Sequence, residues 1–395
     1  MFFYNKSAIF NVADVFFIKN NNTDFLEGFF MAVERWTCEQ AWAWYDQMPW
    51  LRGCNFLPSD CCNRIAFWQE LDFEKHLETC DRELALARSI GYNSSRVILE
   101  YIVYAEEHDS FMVRFERFLE VAAKHGIYVM VCFGNDCTVP RNAAYRAPHI
   151  GVQEYDWGYH GGRKNSPHGS NPGAVGYSIL DEPETAEIFF NMVTEIITKY
   201  KDDKRICVWD LFNEPGNSGR MEISVPHVKR IFETARKCDP GQPLTSGAWT
   251  RCRDFQGAEK VAVENSDVIS FHGYGTYNNN IVTICELKKL NRPLFNTEWL
   301  HRPIHNTVQE MFPLYYLERV SCWNWGFVAG LSQTYEPWES VWRPIEAGNI
   351  GNVDVTKWQH DLFRPSLRPY DPAEIEVIKM FCQYADEAWK EKNSL

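Results

Sequence analysis

"ICVWDLFNEPGN", Ile206 to Asn217, is an apolar run that ends abruptly in an asparagine, a glutamate, a proline and a glycine. Its length and its β-branched and aromatic content suit a short strand buried on both faces. A buried strand has no packing reason to finish on a carboxylate beside an amide, so Glu214 needs a role and a partner.

Similar runs recur before and after it. They are "LRGCNF" (51–56), "RVILEY" (96–101) and "IYVMVCF" (127–133) upstream. Downstream come "PLTSGAW" (243–249), "DVISFHGY" (267–274), "PLFNTEW" (293–299) and "VSCWNWGF" (320–327). With "ICVWDLF" (206–212) they make eight. Helical patterns lie between them, over about 73–90, 110–125, 183–200 and 372–389, with Pro183 and Pro372 suited to first turns. Eight buried strands alternating with helices predict an α/β fold, a single (β/α)8 TIM barrel. An open doubly wound sheet would need a Gly-rich phosphate loop early in the chain, and none is present. Residues 1–50 are expected to pack on the barrel as an N-terminal extension, and 51–395 to form the catalytic barrel. Residues 134–182 form an insertion after the third strand, too long for an idle connection.

Composition narrows the partners. The formal charge of −13 disfavours nucleic acid, and no basic amphipathic helix or bilayer-length apolar stretch suggests a membrane. Aromatic residues make up 15% of the chain, with 15 Trp and 18 Tyr. Flat aromatic faces are what a carbohydrate cleft needs. The 13 cysteines follow no zinc spacing and read as buried thiols of a reducing, cytoplasmic protein. The N-terminus shows no signal-peptide cleavage pattern. No cofactor and no metal are expected, and the oligomeric state is open.

In such a barrel the chemistry sits at the C-terminal strand ends. The fourth run ends in Asn213 and Glu214, and the seventh in Glu298, so the two carboxylates are expected to face each other across the mouth. A pair about 5–5.5 Å apart is the geometry of a retaining glycosidase, one carboxyl protonated to help the leaving oxygen, the other ionised to attack. Glu100, near the end of the second run, has no assigned role.

"NEP" ending the fourth run and "TEW" ending the seventh resemble the clan A glycoside hydrolases, in particular family 5 and its cellulase-like relatives. "RGCNFLPSDCCNRIAFWQ", "NWGFVAGLSQTYEPW" and "WQHDLFRPSLRPYDPAEIEVI" look like a bacterial subgroup often loosely labelled xylanase or cellulase. The resemblance runs from about Trp36 to Ala388. It implies Glu214 as acid/base and Glu298 as nucleophile. It also implies Asn213 on the sugar 2-OH and the nucleophile, and Tyr274 and His272 near the nucleophile carboxylate. Arg96 would lower the nucleophile's pKa. Trp325 would stack under the sugar, with Trp323 the alternative. Asn55, Asn63 and Trp68 in the first loop, and Trp157 in the insertion, are candidate sugar contacts. The implied activity is retaining β-glycoside hydrolysis through a covalent glycosyl-enzyme, with exo action expected. Endo action, transglycosylation and a non-catalytic carbohydrate-binding barrel are the alternatives.

Overall fold

The computed structural model describes residues 34–137, 148–153, 178–250, 255–349 and 351–394. The eight runs are eight strands: β1 Arg52–Asn55, β2 Ser94–Ile98, β3 Tyr128–Asn135, β4 Ile206–Asn213, β5 Leu244–Gly247, β6 Ile269–His272, β7 Leu294–Trp299 and β8 Val320–Asn324. Their order, β5-β4-β3-β2-β1-β8-β7-β6, is parallel throughout. The remaining seam, β5 against β6, is held by the bridge between Ala248 and Phe271. Across it Ala248 N–H donates to the Ser270 carbonyl at 3.1 Å, and His272 N–H to the Ala248 carbonyl at 2.8 Å. The ring is a (β/α)8 TIM barrel.

The second strand is shifted from its expected place. It begins at Ser94 and stops at Ile98, so Arg96 is mid-strand. Glu100 instead precedes the helix Tyr101–Glu106. The helices Phe73–Ser89, His108–Lys124, Pro183–Tyr200 and Pro372–Ser394 follow the expected patterns. Each turns an apolar stripe to the barrel. In His108–Lys124 that stripe includes Phe111, Phe115 and Phe118, all fully buried, each contributing on the order of 1.5–3 kcal/mol.

One end of the barrel is sealed by apolar groups. Met130, Val208, Phe295 and Trp323 project inward from β3, β4, β7 and β8 and pack with Leu51 and Tyr45. Tyr45 belongs to the helix Cys38–Asp46, which starts with a capping box between Thr37 and Gln40. Its hydroxyl donates to the Arg319 carbonyl at 2.8 Å. Residues 1–33 of the expected N-terminal extension lie outside the described residues. Polar side chains inside the ring therefore concentrate at the opposite end, where the strands finish. Among the described residues, no helix is long and apolar enough to cross a membrane, and every cysteine is a free thiol, most of them buried.

Candidate active site

The inward positions of β4 alternate. Val208 sits in the apolar layer, Asp210 lies above it with no exposure, and Asn213 and Glu214 reach the mouth. The pairings of β4, β6 and β7 with their neighbours lose register near their C-terminal ends, between Asp210 and Asn213, Phe271 and His272, and Asn296 and Trp299. Such irregularities re-aim side chains. Glu214 itself has φ of +47°, a strained value for a residue with a side chain.

These ends bring Glu214, His272 and Glu298 together. Their ligand atoms all lie within 4.8 Å of one another. His272 Nδ1 is 2.6 Å from Glu214 Oε1 and 3.4 Å from Glu298 Oε2. The ring fits there because β5 ends in Gly247, where a Cβ would stand 2.8 Å from His272 Nε2. β4 and β7 are three places apart on the ring, with β5 and β6 between. They are not diametrically opposed, and His272 on β6 fills the gap.

Glu298 is almost wholly buried. Arg96 Nη1 donates to its Oε1 at 2.8 Å, and the Tyr274 hydroxyl to its Oε2 at 2.9 Å. Arg96 also donates to Asp210 at 2.8 Å, Asn55 at 2.7 Å and Asn213 at 2.6 Å. The arginine is thus the hub of the barrel's polar layer, and Asp210 is its fully buried counter-charge.

Burial pushes the Glu298 carboxyl above its usual range, although His272, Arg96 and Tyr274 pull it down. Burial also acts on Glu214, but the hydrogen bond and charge of His272, with Asn217, hold it below the usual range. His272 would be depressed by burial, yet the two carboxylates raise it. The directions reverse those expected for a resting acid and a resting nucleophile. The physical reason is position: the imidazole lies against Glu214, so Glu214 is the more strongly ion-paired carboxylate.

Several expected contacts are corrected. Asn213 does not reach Glu298 in the described residues; its side chain accepts from Arg96 and donates to Asn135 at 2.9 Å. Asn63 caps the helix Arg64–Trp68, accepting from Ala66 N–H at 2.9 Å, and also binds Gln153. Trp68 is fully buried, stacked on Phe67 at 4.0 Å and ringed by Phe111, Phe115 and Phe118. It is core. Trp323 belongs to the apolar layer at the closed end, which leaves Trp325, on the wall of a cavity shared with Asn55 and Arg96. Glu100 pairs with Arg64 at 3.0 Å. Trp157 lies outside the described residues.

Two features escaped the sequence reading. Asp210 is an acid in the middle of an apolar run, a signal that a buried counter-ion was required. Trp338, packed edge-on against Tyr274 at 5.0 Å, and His360, at 5.6 Å from the same ring, form an aromatic wall. They come from distant segments with no periodic signal. Among the described residues, two groups offer mixed donors to a metal ion, the Glu214 trio and Asp60 with Cys61 and His76. In the second, Asp60 already pairs with His76 and accepts from the Thr79 hydroxyl, at 3.0 Å each.

A family model described as Cellulase (glycosyl hydrolase family 5) matches residues 81–311. No curated protein sequence matches the chain. Similar solved structures include an exo-beta-1,4-mannosidase from Opitutaceae bacterium strain TAV5, with a TM-score of 0.53 and 14% identity over 85% of this chain. The chain spans 60% of the length of that protein. A glycoside hydrolase family 5 mannosidase from Rhizomucor miehei has a TM-score of 0.54 and 13% identity, covering 87% of this chain and 94% of that one. An endo-1,4-beta-mannanase from Rhizomucor miehei has a TM-score of 0.53 and 10% identity, covering 86% and 95%. At these identities the likeness is one of fold.

Proposed function

The chain belongs to glycosyl hydrolase family 5; from that premise we propose that it is a retaining glycoside hydrolase acting on carbohydrate, with Glu214 its acid/base and Glu298 its nucleophile. The observation that carries the assignment is the approach of the two carboxylates within 4.8 Å around one imidazole nitrogen. That separation is too short for a water to sit between carboxyls as in inverting enzymes, where they stand about 6.5–9.5 Å apart.

Glu298 attacks the anomeric carbon while Glu214 gives a proton to the departing oxygen. A glycosyl-enzyme ester forms, and the aglycone leaves as an alcohol. Glu214 then takes a proton from water, whose oxygen displaces Glu298 with net retention. Arg96 and Tyr274 hold the Glu298 carboxylate in one orientation and disperse its charge. The proton reaches Glu214 from His272, its neighbour at 2.6 Å. Trp325 lines the glycone side and stacks on the sugar there.

The action is exo, releasing a terminal sugar. The support is the walled cavity beside Arg96 and Asn55, which Trp325 lines, a concave site with an aromatic face rather than an open groove. A panel of para-nitrophenyl β-glycosides, opened with β-mannosides because the similar structures include mannosidases, identifies the sugar. Glu298→Ala is expected to lose about 10⁴-fold or more in kcat. Glu214→Ala should keep far more activity on para-nitrophenyl glycosides than on natural saccharides, because a good leaving group needs little acid help. Full activity of Glu298→Ala would sink the assignment.

A further inference from the structure

The segment "WQHDLFRP", Trp358 to Pro365, has no part in the proposed chemistry, yet it carries one of the most deeply buried carboxyls in the molecule. Asp361 has no exposure. Its Oδ2 accepts from the Thr334 hydroxyl at 2.7 Å. Its Oδ1 has no hydrogen-bond partner among the described residues and is sealed from solvent, so it does not touch a sugar directly. It lies instead against Gly326, the residue that follows Trp325. A Cβ on Gly326 would stand 2.4 Å from Asp361 Oδ1. Gly326 has φ of +73°, so both the turn and the close approach require glycine.

The same segment holds the chain on either side of that turn. The Phe327 carbonyl accepts from the N–H groups of Leu362 and Phe363, at 2.9 Å each, and Ala329 N–H donates to the Phe363 carbonyl at 2.8 Å. The segment is itself anchored. Arg302 donates to the Asp361 carbonyl at 3.1 Å and pairs with Glu374 at 2.6 Å, tying it to the helix Pro372–Ser394. Trp325, Gly326, Thr334 and Asp361 all line the cavity beside Arg96 and Asn55. The Asp361 carboxyl thus spans Thr334 and the Gly326 turn where the chain leaves β8.

We propose that Asp361 is a positioning residue for the sugar site: with Thr334 it fixes the Gly326 turn and so holds Trp325 as the stacking face. This rests on the reading of Trp325 as a sugar contact. Burial pushes the Asp361 carboxyl up to about 7, against the pull of Thr334, Arg302 and the Phe327 backbone. A fully buried acid is costly to the fold, and its place against the Gly326 turn argues for a positioning duty.

The test is a double-mutant cycle in KM on the para-nitrophenyl β-glycoside that the parent hydrolyses best. Asp361→Ala is expected to raise KM about tenfold in the parent and to have almost no effect in the Trp325→Ala background. Asp361→Asn, which keeps an acceptor for Thr334, should stay close to the parent. An equal rise of KM in both backgrounds would overturn the proposal, as would a loss of thermal stability with KM unchanged. If Asp361→Ala does not fold, Thr334→Val breaks the same hydrogen bond from the other side and enters the same cycle. An unchanged KM in Trp325→Ala alone removes the stacking reading itself, and that failure is distinct from additivity in the cycle.

Discussion

At the scale of residues, the site is a trio around one imidazole. As the pH rises through the raised pKa of His272, the trio loses the proton that Glu214 is proposed to deliver. Activity is therefore expected to fall on the alkaline side above the ordinary histidine value of about 6.5. As the pH falls, Glu298, itself raised by burial, takes up a proton above the usual range of about 4.3 and can no longer act as the proposed nucleophile. The profile of kcat/KM against pH should be a narrow bell whose limbs belong to the trio. His272→Gln is expected to lower kcat by roughly 10²-fold and to move the alkaline limb. An unmoved limb in that variant would exclude the imidazole as the proton source.

Single elements carry two further expectations. The helix Phe73–Ser89 presents Glu83, fully buried, to the loop after β1, where it accepts from the Ser59 backbone N–H at 3.2 Å and from the Ser59 hydroxyl. Burial raises its carboxyl to about 7, against the pull of these hydrogen bonds. The folded value lies above the unfolded one, so the folded state binds the extra proton between them. That contribution is complete below about pH 4 and is lost as the pH rises through 7. Glu83→Gln should therefore gain thermal stability relative to the parent between about pH 5 and 8, read as a difference in Tm. On the helix Arg64–Trp68, Trp68→Ala should cost about 3–5 kcal/mol of stability. The KM of the surviving enzyme should not change, because Trp68 is enclosed by phenylalanines. A raised KM at full stability would return it to the substrate site.

For the whole molecule, the barrel divides its labour between two ends. The apolar layer around Phe295 and Trp323 closes one end, and the charged layer around Arg96 opens at the other. Retention is a property of this arrangement as a whole, since it needs both carboxylates on one small volume. Proton NMR of early product should show the β-anomer first, with the α-anomer appearing only by mutarotation. Exo action predicts release of a terminal sugar from an oligosaccharide with no drop in the viscosity of a soluble β-glycan. A rapid fall in viscosity with no monosaccharide released would replace exo with endo action.

The strand count, the barrel and the pair Glu214 and Glu298 were all legible in the chain alone. Buried parallel strands must be apolar on both faces, so a carboxylate at the end of such a run stands out against its background. Arg96, Tyr274 and His272 were legible for the same reason, as polar groups at or within strand ends. Asp210 carries the same signal, an acid inside an apolar run. The fates of Asn63, Trp68 and Trp323 were not legible. A capping asparagine or a core tryptophan has the same letter as a sugar contact, and only packing with distant helices or the closed end tells them apart. Which carboxylate His272 favours, and how Asp361 meets Gly326, depend on distances between segments far apart in the chain. Periodicity encodes which face a residue occupies, but those distances are set only when the ring closes.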